Sequence, residues 1–64
     1  MSEDFELQDE GSLYLLRPLT VQAVEWVDEH IEHNRQMFGT AVVVEHHYIA
    51  DIVRGIRDAG LELD

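Results

Sequence analysis

The sequence predicts a small domain of the α/β (α+β) class, with the order β-β-α-β-α and a three- to four-stranded mixed sheet packed against two helices. Three observations predict it. A segment with period-two alternation and a second apolar segment flank a glycine-containing turn near the N-terminus. Two later segments carry apolar residues at helical spacing. A short β-branched run lies between those helices.

Each element has its own signal. Phe5 and Leu7 alternate with Glu6 and Gln8, the period of a half-buried strand, and residues 1–4 are expected to be disordered. Asp9-Glu10-Gly11-Ser12 reads as a hairpin turn, with glycine free to take a positive φ. Leu13 to Leu19 reads as the second strand, in which Pro18 halts pairing because it has no N–H to donate. Thr20 is placed to cap a helix from Val21 to Asn34, with Val24, Val27 and Ile31 as its apolar stripe. Trp26 lies beside that stripe. Ala41-Val42-Val43-Val44 has the look of a strand covered on both sides. A second helix is expected to begin near Glu45 or His46, burying Ile49, Ile52, Val53 and Ile56 and ending at Gly60. Leu61-Glu62-Leu63 alternates and reads as a short last strand or a free tail. The second strand, first helix and third strand together suggest a right-handed βαβ crossover.

Size and charge restrict the function. The chain has 64 residues and is read as one domain spanning 1–64, with a thin core. It has no cysteine, which removes disulfides, thiolate zinc sites and thiol catalysis. Fourteen acidic residues face four basic ones, all arginine, for a formal net charge of −10. Nucleic acid and anionic membranes repel such a surface, so neither is expected as a partner. Met1-Ser2-Glu3-Asp4 is unlike a signal peptide and no apolar run is long enough to span a bilayer, so a cytoplasmic protein is expected.

Both good strands are apolar on both faces. Leu13 and Leu15 oppose Tyr14 and Leu16, and Ala41 and Val43 oppose Val42 and Val44. Two short helices cannot cover both faces of such a sheet fully. Either one helix lies on each face, or the helices share a face and the other meets a second subunit. The plain alternative is a monomer with a modest apolar patch.

No catalytic residue set emerges. His30 and His33 share a helix face, and His46 and His47 are the remaining candidates for a histidine-based metal site. The spacing is not that of a zinc-binding helix motif, and solvent-exposed histidines explain it equally well. His46 and His47, if they open a helix, offer a general base, but no nucleophile is evident nearby. The acids Glu25, Asp28, Glu29 and Glu32 read as a solvated helix face. No cofactor is implied. Trp26, Met37, Tyr14 and Leu16 are the candidate interaction residues, with Phe38 expected to plug the end of the core.

Leu16-Arg17-Pro18-Leu19-Thr20 and the stretch from Phe38 to Val53, which includes Ala41-Val42-Val43-Val44-Glu45-His46-His47-Tyr48, resemble a family of small proteobacterial proteins that have no assigned activity. The resemblance spans Gly11 to Leu61 and implies a bacterial cytoplasmic origin. It carries over no functional residue.

The function expected is therefore a non-enzymatic acidic protein-interaction or regulatory module, acting on a protein partner or on itself as a homodimer. The alternative is a small metal-binding protein or an oligomeric enzyme with a His46/His47 site.

Overall fold

A computed structural model describes residues 3–31 and 35–63. The elements are β1 (Phe5–Asp9), β2 (Leu13–Pro18), α1 (Val21–His30), β3 (Met37–Phe38), β4 (Ala41–Glu45) and α2 (Ile49–Asp58). The strands form one sheet in the order β1-β2-β4-β3, antiparallel throughout. The α+β class and the two helices are as expected. Where a mixed sheet was expected, the parallel pairing found among the described residues is a single bridge between Phe5 and Leu63.

The βαβ crossover from the second strand to the Ala41–Glu45 strand is overturned, because β2 and β4 are antiparallel. The reason is β3, which the sequence reading missed. This two-residue strand pairs with β4 across the Gly39-Thr40 turn and reverses the chain, so β4 runs back between β2 and β3. Gly39 has φ +62°, the conformation such a tight hairpin asks of its first central residue.

The local chemistry explains most boundaries. At the β1–β2 turn, Gly11 has φ +92° and its N–H donates to the Asp9 carboxylate at 2.8 Å. Asp9 thereby closes the turn with its own side chain. The Thr20 hydroxyl caps α1 by accepting from the Ala23 N–H at 3.1 Å. The helix closes at an extended Ile31, short of Asn34, which lies outside the described residues. Its buried face is Ala23, Trp26 and Val27, while Val24 is 47% exposed. The stripe is thus turned by about one residue from the expected one, because Trp26 has far more apolar area to bury than Val24.

The second helix starts later than expected. Glu45 is still paired with Leu13, and the Tyr48 N–H donates to the Glu45 carbonyl at 3.0 Å, so residues 46–48 form a turn before Ile49. At its end the N–H of Gly60 donates to the Arg57 carbonyl (2.9 Å) and that of Leu61 to the Ile56 carbonyl (3.2 Å). With φ +80° at Gly60, this is a Schellman ending. Leu61 and Ile56 both join the core.

The C-terminal segment then docks against β1. The Asp4 and Phe5 N–H groups both donate to the Glu62 carbonyl at 3.0 Å. Asp4, expected in a disordered terminus, is bonded on several sides. Its carboxylate accepts from the Thr20 hydroxyl (2.7 Å) and the Glu62 N–H (2.9 Å), and its carbonyl from the Leu19 N–H (2.7 Å).

The core joins both helices to one side of the sheet. Phe5, Leu16, Val42 and Val44 pack with Ala23, Trp26 and Val27 of α1 and Ile56 of α2. Phe5 and Trp26 meet edge to face, ring centroids 5.9 Å apart. Gly55 lets the helices close, since a Cβ there would stand 3.0 Å from Trp26 Cζ2.

Candidate functional site

The register decides what the other side of the sheet displays. Cross-strand partners share a face. Leu7–Leu16, Leu16–Val42 and Tyr14–Val44 lie on the helix side. Glu6–Arg17, Gln8–Leu15, Leu15–Val43, Leu13–Glu45 and Phe38–Ala41 therefore lie on the opposite side. Leu13, Leu15 and Val43 are half-buried and stand outside the core. Ala41 is the one buried apolar residue among those described that is not part of the core cluster. Phe38 is 66% exposed.

This uncovered face is apolar through its middle and carries acids at its margins. The Arg17 guanidinium donates to the Glu6 carboxylate beside it, so that pair cancels. Glu45 is the other acid the register places there, at the end of β4. The Gln8 amide on this face donates to the Glu10 carboxylate at 2.5 Å, which brings a third acid to its edge. The remaining described acids sit elsewhere: Glu25, Asp28 and Glu29 on α1, Asp51 and Asp58 on α2, Asp9 at the β1–β2 turn, and Glu3, Asp4 and Glu62 near the termini.

The candidate interaction residues divide. Trp26 is only 6% exposed and Leu16 fully buried, so both belong to the core and neither presents a surface. Tyr14 is half-buried on the helix side with the His46 ring tilted over it at 4.9 Å. Met37 is 45% exposed at the sheet edge. Phe38 plugs nothing. Its register with Ala41 turns it to the uncovered face, away from the core beneath α1.

The histidines are occupied locally. His30 stacks on Trp26 with centroids 4.5 Å apart, and its Nδ1 lies 3.0 Å from the Trp26 carbonyl, within donating distance. His46 and His47 lie in the turn before α2 rather than at a helix N-terminus, which removes the dipole argument for them. His47 leans on Tyr48 at 4.2 Å. His33 lies outside the described residues. Among those described, no three His, Asp or Glu side chains are gathered as metal ligands would be. A groove of about 530 Å³ runs between the C-terminal end of α1 and the start of α2, with His30, Arg35, Tyr48 and Asp51 among its lining. Arg35 is held there by Asp28 at 2.9 Å.

Among the described residues, one titratable group is clearly perturbed. The Asp4 carboxyl is held below its ordinary value, first by the Glu62 backbone N–H and then by the Thr20 hydroxyl. Its role is a clasp between the two ends of the described chain.

The residues that sequence reasoning left out of the site are Leu13, Leu15, Val43 and Phe38. A signal for the first three was present. Glu6 and Gln8 mark the solvent side of β1, and whatever pairs opposite them must share that side.

No family model matches the chain, and no curated protein or solved structure does. Among the described residues, no helix is long and apolar enough to cross a membrane.

Proposed function

We propose that the chain is a non-enzymatic protein-interaction module whose contact surface is the uncovered face of its sheet. The observation that carries this reading is the placement of both helices on one side, which leaves Leu13, Leu15, Val43 and Phe38 without a covering layer among the described residues. Half-buried apolar rows with an exposed Phe38 beside them are the kind of surface contact sites use, and the Arg17 guanidinium among them is neutralised by Glu6. The acids elsewhere keep the rest of the surface hydrated.

The absence of native cysteine allows a clean test. A single thiol is introduced by Leu15→Cys on the uncovered face, or by Glu29→Cys on exposed α1 as a control. Modification rates are compared in dilute pure protein and at native abundance in extract of the producing cell. The reading predicts that the Leu15→Cys thiol is protected in extract while the control is not. Equal reactivity at both positions under both conditions would overturn it.

A further inference from the structure

We infer that residues 61–63 form a strap whose docking on β1 sets the start of α1, through a relay of hydrogen bonds that meets at Asp4. The relay begins at the strap. The Glu62 N–H donates to Asp4 Oδ2 at 2.9 Å, and the Asp4 N–H donates back to the Glu62 carbonyl at 3.0 Å. This reciprocal pair fixes the carboxylate against the strap. The other oxygen, Oδ1, accepts from the Thr20 hydroxyl at 2.7 Å, and the Thr20 oxygen accepts from the Ala23 N–H at 3.1 Å. A hydroxyl has one proton to give. Committing it to Asp4 leaves the lone pairs for Ala23 and makes the oxygen a better acceptor, because bonds in such a chain polarise one another. The cap of α1 is therefore strongest while Asp4 is held, and the strap holds Asp4.

The strap is placed to open as a unit. It follows Gly60, whose φ of +80° ends the helical path. Among the described residues its strand pairing with β1 is the single Phe5–Leu63 bridge. Leu61 and Leu63 are half-buried against the core, and Glu62 between them is exposed. Few buried contacts and a short ladder are what give a segment a low opening free energy. At the far end of the relay, Ala23 is fully buried in the core. Opening the strap removes a support from α1, and by linkage a weakened cap loosens the strap to the same extent. A contact that pulls residues 61–63 off β1 is thereby felt at α1. The device is separate from the uncovered face, since Asp4, Thr20 and Glu62 belong to none of its rows.

The test is native-state amide hydrogen exchange on the purified full chain in dilute urea. In the wild type, the Glu62 and Ala23 amides should share one opening, of lower free energy than the global opening read from the β4 amides. Two variants then act from opposite ends. Thr20→Val removes the cap hydroxyl and keeps the β-branch, and it should speed exchange at Glu62 by about fivefold. Leu63→Ala loosens the strap without touching a polar atom of the relay, and it should speed exchange at Ala23. In an Asp4→Asn background both cross-effects should disappear. If Thr20→Val speeds the β4 amides but leaves Glu62 unchanged, the strap opens with the cap intact and the inference is overturned. It is likewise overturned if Leu63→Ala leaves Ala23 unchanged, or if Glu62 and Ala23 exchange only through the global opening. Cross-effects that persist with Asp4→Asn would remove Asp4 from the relay and overturn it too. Should Asp4→Asn fail to fold, the two single variants decide the matter.

Discussion

Asp4 shows how much one side chain can organise in a chain this short. Its two carboxylate oxygens hold the N-cap hydroxyl of α1 and the backbone of the C-terminal segment at once. Both bonds favour the charged form, so the folded-state pKa lies below the unfolded one. The sign of the linkage follows. The stabilisation is fully present above the ordinary carboxylate pKa and is lost as pH falls through the lowered, folded-state value. Asp4→Asn should therefore be less stable than the parent at neutral pH, and the difference should vanish in strong acid. Urea titrations at a series of pH values measure it directly. Thr20→Ala removes the cap and should cost about 1 kcal/mol, read from the same curves. The Thr20 cap and the Gly60 ending were legible in the sequence because each is a local bond between near neighbours. The Asp4 clasp was not, since it joins residues 58 positions apart and needs the tertiary fold to exist first.

At the scale of elements, the two helices meet where Gly55 faces Trp26. An alanine in an exposed helix interior ordinarily stabilises by about 1 kcal/mol over glycine. Here the added Cβ would press on a ring buried between α1, α2 and Phe5, so Gly55→Ala should give no gain or a loss of about 1 kcal/mol. In a Trp26→Phe background the same change should recover its helical benefit. Trp26 Nε1 has no hydrogen-bond partner among the described residues, so Trp26→Phe itself loses volume but no bond. A double-mutant cycle by thermal or urea denaturation would measure the coupling. A coupling near zero would mean the two residues do not touch as described.

The sheet offers a second contrast. Leu16→Ala should cost about 2–5 kcal/mol, because it empties the core. Leu15→Ala, one residue away on the uncovered face, should cost less than about 1 kcal/mol in dilute protein. Periodicity located every long element, but both leucines look alike in it. Only pairing with β1, whose Phe5 and Leu7 alternate with Glu6 and Gln8, separates them. Periodicity also missed β3, since two residues carry no period, and Met37-Phe38 reads as readily as a turn. The misplaced stripe of α1 has a similar cause. Val24 and Trp26 both border Val27, and the choice between them is made by the depth of the space under α1.

For the molecule as a whole, the core of the described residues lies on one side of the sheet. The most direct measurement compares amide ¹H–¹⁵N spectra of the uniformly labelled chain in dilute buffer and in extract of the producing cell. The account predicts shift changes confined to Leu13, Leu15 and Arg17 of β2, Val43 of β4, and Phe38, with α1 and the outer side of α2 unmoved. Changes centred on the helices, or none in extract, would contradict it.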